Sequence, residues 1–108
     1  MSEQRKSCLP ERTVHEPPKP LPKIIIKVKE IQGKGTCSFG HVVGQTIKYP
    51  EELNQLCPWA FYAVFPVIQV LLFGGTFFYE PDPDKTYIAC SDPYNEVVFE
   101  VARVWDEA

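Results

Sequence analysis

The chain has 108 residues, 44% hydrophobic and 13% aromatic, with eleven prolines, four cysteines and a formal net charge of −3. That length suits one domain, and so much apolar content excludes collagenous, mucin-like and wholly disordered chains. A sequence pI near 5.3 argues against a dedicated nucleic-acid binder, whose surface would be basic.

Residues 1–22 read as a proline-rich extended leader. Pro10, Pro17, Pro18, Pro20 and Pro22 lie here, and such spacing favours open polyproline geometry. Counted through Lys23, this part carries five basic and three acidic residues, so +2; the remainder carries six basic and eleven acidic, so −5. Opposite charges on the two parts suggest that the leader docks on a neighbouring subunit, giving a homo-oligomer or a larger protein complex. The leader has no apolar secretory stretch, so reduced thiols and a cytoplasmic location are expected.

Residues 23–108 are expected to form a single domain. Ile24, Ile26 and Val28 alternate with Ile25, Lys27 and Lys29, which predicts a strand with one buried face. Gly33 and Gly35 end it, and a glycine-rich turn segment around Cys37 and His41 follows. A short strand is predicted over 46–49. Pro50 to Leu56 has the composition of one or two helical turns, with Pro50 at the first position.

Pro58 to about Phe73 reads as a helix, kinked or broken near Pro66 and stopped by Gly74. This stretch is the most apolar in the chain, yet it is short for a membrane span and carries a proline. A core helix is therefore expected, and no membrane association. Trp59, Phe61, Tyr62, Phe65 and Phe73 are read chiefly as core. Residues 76–79 can be extended, 80–85 form an acidic turn taken as solvated, 86–89 a strand, 91–95 a turn, and 96–105 a final strand. The order β-β-α-β-β predicts an α+β fold: a small, mostly antiparallel sheet packed on one central kinked aromatic helix.

Chemistry concentrates in three cysteines and one histidine. Cys37 and His41 share a loop, Cys57 precedes Pro58 at a helix start, and Cys90 ends a strand. Thiolates with an imidazole suit zinc or an iron–sulfur cluster, so Cys37, His41, Cys57 and Cys90 are the candidate metal ligands. Cys8, in the leader, stands apart. The same residues admit a second chemistry. A cysteine at a helix N-terminus faces the positive end of the dipole, which favours its nucleophilic form. Cys57 could then act as nucleophile or acid, His41 as base and Asp92 as the carboxylate that orients it. Trp59 and Tyr62 would line an apolar pocket around Cys57. Asp92 has a plainer role open to it, organising its own turn.

Gly35-Thr-Cys37-Ser-Phe-Gly-His41-Val-Val-Gly44, Leu56-Cys57-Pro58-Trp-Ala60, Pro66 to Gly75, and Cys90-Ser-Asp92-Pro93 with Val97-Val-Phe-Glu100 resemble a family of small, uncharacterised prokaryotic proteins with C-x-x-G-H, C-P-x-A and C-x-D-P motifs. The resemblance spans roughly Lys23 to Val104. Ser91 stands where the pattern has proline, and the leader is not part of the pattern. The resemblance implies that Cys37, His41, Cys57, Cys90 and Asp92 form one motif set sharing a site. The first expectation is a metal- or iron–sulfur-binding accessory protein. The alternatives are a cofactor-independent lyase, isomerase or hydrolase, and a structural partner subunit.

Overall fold

A computed structural model describes residues 8–15 and 20–105. It contains strands β1 (Lys23–Ile31) and β2 (Thr46–Tyr49), a single 3-10 turn (Leu53–Gln55), helix α1 (Pro58–Leu72), and strands β3 (Lys85–Ala89) and β4 (Val97–Val104). The strands form one antiparallel sheet in the order β2-β1-β4-β3. This is the expected α+β class. The polypeptide crosses from the β2 edge to the β3 edge through α1, which packs on one face of the sheet.

Alternation in β1 buries Ile24, Ile26 and Val28. A register shift between Val28 and Glu30 then puts an extra residue into the strand. That bulge leaves Lys29 and Glu30 both exposed and returns Ile31 to the core side, opposite Val97. β4 buries Val97, Phe99, Val101 and Arg103 at strict two-residue spacing. On the other face of the sheet Lys29 pairs with Glu100 at 3.6 Å, and Tyr87 donates to the same carboxylate at 3.2 Å.

Pro58 sits in the first turn of α1, where its missing N–H costs nothing. The helix then runs unbroken through Pro66; packing against the sheet holds it together where local preference would end it. Its inward face is aliphatic: Ala60, Val64, Val67, Ile68 and Leu71. The aromatics expected in the core are therefore corrected. Trp59 is 63% exposed, Tyr62 83% and Phe73 69%. At the C-terminus Gly74 adopts φ +88°. Its N–H donates to Leu71 O and the Gly75 N–H to Val70 O at 2.8 Å, a Schellman cap that L side chains other than glycine rarely allow.

Two further readings differ from the structure. Residues 76–79 add no strand, because the Glu80 N–H donates to Phe77 O and folds the segment into a turn. Pro50 lies in a turn ahead of the 3-10 residues rather than at a helix start. Of the leader, residues 1–7 and 16–19 lie outside the described residues. Residues 8–15 are exposed, whereas Pro22 is buried. Pro20, Leu21 and Pro22 line a cleft with Leu72, Phe73 and Trp105. The end of the leader thus belongs to the packed domain. Among the described residues no helix is long and apolar enough to cross a membrane.

Candidate functional site

The domain's three cysteines come from three different elements. Cys37 lies in the loop joining β1 to β2, Cys57 is the N-cap of α1, and Cys90 directly follows β3. They line a single cavity of about 260 Å3, together with Ser38, Phe39, Trp59, Asp92 and Asn95. Convergence depends on how closely the β1–β2 loop meets the β3–β4 hairpin. Gln32 donates its backbone N–H to Glu96 O at 2.8 Å, and Lys34 donates its N–H to Asn95 Oδ1 at 3.0 Å. Gly33 between them has φ +71°, and a Cβ there would stand 2.0 Å from Tyr94 O. Only glycine meets both demands.

Cys90 closes the hairpin. Its backbone N–H donates to Val97 O at 2.9 Å, and its Sγ accepts from the Val97 N–H at 3.2 Å. It is buried, while Cys37 and Cys57 are half-buried; all three, with the exposed Cys8, are free thiols. Cys57 makes no side-chain capping bond, so its sulfur is uncommitted at the start of the helix. Asp92 Oδ1 accepts from the Tyr94 N–H at 2.9 Å and the Asn95 N–H at 3.3 Å. Asp92 therefore organises its own turn while also facing the cavity.

His41 is only 3% exposed and sits beside Phe39 and edge-on to Phe99. The Cys57 backbone N–H points at its Nε2 from 3.2 Å. A main-chain N–H can only donate, so Nε2 is the unprotonated acceptor and Nδ1 carries the ring proton. Nδ1 then donates to Gln45 Oε1 at 2.9 Å, an oxygen that also accepts from the Val42 N–H at 3.3 Å. Both ring nitrogens are thereby occupied. His41 is a strut beneath the cavity: its lone pair goes to the main chain of Cys57, and the partner expected to be Asp92 is Gln45.

Of the residues read as pocket lining, Trp59 forms part of the wall. Tyr62 does not; it points to solvent on the outer side of α1. Among the described residues, no three His, Cys, Asp or Glu side chains stand in place to hold one metal ion. The thiol donors suit a soft ion, and the one charged group in the wall, Asp92, favours a cation.

Two residues that matter escaped the sequence reading. Gln45 carried no signal beyond its closeness to His41. Arg103 did carry one: it falls in step with Val97, Phe99 and Val101 on the core side of β4. Its guanidinium bonds Asp84 Oδ1 at 2.8 Å, Leu71 O at 3.0 Å, Gly75 O at 2.7 Å and Pro83 O at 2.9 Å, and lies over the Trp105 ring. The acidic turn is likewise bonded into the domain rather than merely solvated. Asp84 pairs with Arg103, Asp82 accepts from the Asp84 N–H, and Thr86 donates to Glu80. Against known proteins, the chain matches no family model, no curated protein and no solved structure.

Proposed function

We propose that this protein is a small accessory protein whose thiol cavity takes a thiophilic metal ion, zinc above all, or an iron–sulfur cluster. The observation that carries the reading is the meeting of Cys37, Cys57 and Cys90, from three separate elements, in one cavity with Asp92. Three thiols from three segments make a site that exists only in the folded chain, as metal and cluster sites do. The ligands in this reading are the three sulfurs, with Asp92 or an exogenous ligand completing the set. His41 is a positioning residue that holds the Cys57 main chain. A reducing compartment such as the cytoplasm would keep the thiols available. The leader, whose net charge opposes that of the domain, would dock on a neighbouring subunit or a larger complex.

Metal analysis of protein purified anaerobically tests this. The reading predicts bound zinc, or iron with acid-labile sulfide, in molar proportion to the chain. It also predicts that Cys37, Cys57 and Cys90 resist alkylation until the metal is chelated. Metal-free protein that takes up neither zinc nor a cluster, with Cys37 and Cys57 alkylating freely, would overturn it.

A further inference from the structure

We infer that the outer edge of β3 is the contact surface for a second copy of this chain, whose own β3 pairs with it antiparallel and joins the two sheets into one. The ladder decides which main-chain groups face that edge. Arg103 donates its N–H to Asp84 O at 2.8 Å, and Cys90 donates its N–H to Val97 O at 2.9 Å. By the same alternation Thr86 and Ile88 turn their N–H and C=O groups toward β4, while Lys85, Tyr87 and Ala89 turn theirs away from it. The Lys85 N–H folds back on Asp82 O at 3.4 Å. Among the described residues, nothing meets the outward N–H and C=O of Tyr87 or of Ala89.

The opposite edge of the sheet is treated differently. Val28 donates its N–H to Gln45 O at 2.9 Å, which by the same alternation leaves Thr46 and Lys48 facing out from β2. Lys48 is closed off by the residues that follow. Its N–H donates to Glu52 Oε1 at 2.8 Å, and its C=O accepts from the Glu52 N–H at 2.7 Å. Folded chains ordinarily blunt their strand edges in some such way. The β3 edge instead presents consecutive outward donors and acceptors, the feature to which an added strand binds.

The occupant must be extended main chain with free N–H groups. The leader is ill suited to this, because Pro10, Pro17, Pro18, Pro20 and Pro22 have none. A head-to-tail row of copies would need β2 as its other half, and Glu52 stops that edge. What remains is like against like, and a contact of that kind closes about a two-fold axis. The outward set is centred on Tyr87. Laid antiparallel on itself, it sets Tyr87 against Tyr87 of the second copy, exchanging both main-chain bonds. Each Lys85 then lies opposite Ala89, so no like charges meet and the aromatic pair adds its own contact. The inference does not depend on the thiol reading, since Lys85, Tyr87 and Ala89 do not line that cavity.

Sedimentation velocity on the reduced full chain, over a range of concentrations, tests the inference. β3 is five residues long and supplies less than a standard interface. The expected result is therefore a mass that rises with concentration from 12.4 kDa toward twice that value. Tyr87→Pro removes the central outward N–H and leaves the bonds to β4 in place, as edge strands allow. It should weaken self-association at least about tenfold, with the far-ultraviolet circular dichroism unchanged. If Tyr87→Pro fails to fold, cross-linking makes the same test. In a Cys8→Ser background, Tyr87→Cys brings two thiols together on residues about 5.5 Å apart between Cα atoms, within disulfide reach. It should form an intermolecular disulfide under mild oxidation, and Lys85→Cys, which faces Ala89 instead, should not. A wild-type chain that stays at 12.4 kDa up to about 1 mM, a folded Tyr87→Pro variant as dimeric as wild type, or a Lys85→Cys variant that cross-links as fast as Tyr87→Cys would each overturn it.

Discussion

The two ends of α1 are each held by one buried basic side chain, and they differ in what is left over. At the C-terminal end Arg103, 6% exposed, makes four hydrogen bonds to Asp84, Leu71, Gly75 and Pro83. That end is saturated: the cap carbonyls, the acidic turn and the charge satisfy one another. At the N-terminal end His41 makes two bonds, to the Cys57 N–H and to Gln45, and beside it Cys57 has no capping bond. Three thiols there face a cavity. A buried ionic group fully bonded to its own fold contributes rigidity, while donor atoms left uncommitted in a cavity are where a ligand can enter. The contrast separates structure from function within one helix.

The largest way to break this comparison is to remove Arg103. Arg103→Ala takes away the donor to the Gly75 and Pro83 carbonyls, one of the donors to Leu71 O and the ion-pair partner of Asp84, and should cost about 2–4 kcal/mol, a large share of a total stability of about 5–15 kcal/mol. Urea unfolding measures it. A loss below about 1 kcal/mol would mean that the clamp is dispensable. His41→Phe keeps the ring but removes both hydrogen bonds, for an expected loss of about 1–3 kcal/mol, and it should leave metal stoichiometry unchanged. If metal binding vanished while the fold survived, His41 would be a ligand after all.

Gly33→Ala forces a positive φ on a residue with a Cβ and drives that Cβ into Tyr94 O. About 1–3 kcal/mol is expected, with Cys90 alkylated faster as the loop lifts off the hairpin. The smallest stability effect should come from the thiols themselves. Measured on the metal-free chain, Cys37→Ser, at a half-buried position, should change stability by about 0.5 kcal/mol or less and yet abolish metal binding. Functional sensitivity without structural sensitivity is what the thiol end predicts, and Arg103→Ala predicts the reverse.

The strands were legible because their residues alternate. Ile24, Ile26 and Val28, and later Phe99 and Val101, mark one buried face, and Gly74 marks the helix end. The bulge after Val28 was not, since it is a matter of pairing rather than of local preference. The exposed aromatics of α1 were misjudged for a related reason. Composition says that such side chains want burial, but only the sheet decides which side of the helix is served. At the site, the three cysteines expected to lie together line one cavity. The bonding of His41 was not legible, because it depends on the direction of the Cys57 N–H and on Gln45, and neither is encoded in spacing.

The central claim is that Cys37, Cys57 and Cys90 act as one ligand set while His41 only supports them. Titration of the reduced full chain with cadmium, followed by thiolate-to-metal charge-transfer absorption, tests it most directly. The account predicts saturation at one ion per chain. The signal should be lost in Cys37→Ser, Cys57→Ser and Cys90→Ser alike, and retained in Cys8→Ser and His41→Phe. Absence of the absorption in the wild-type chain, or its survival in Cys90→Ser, would contradict it.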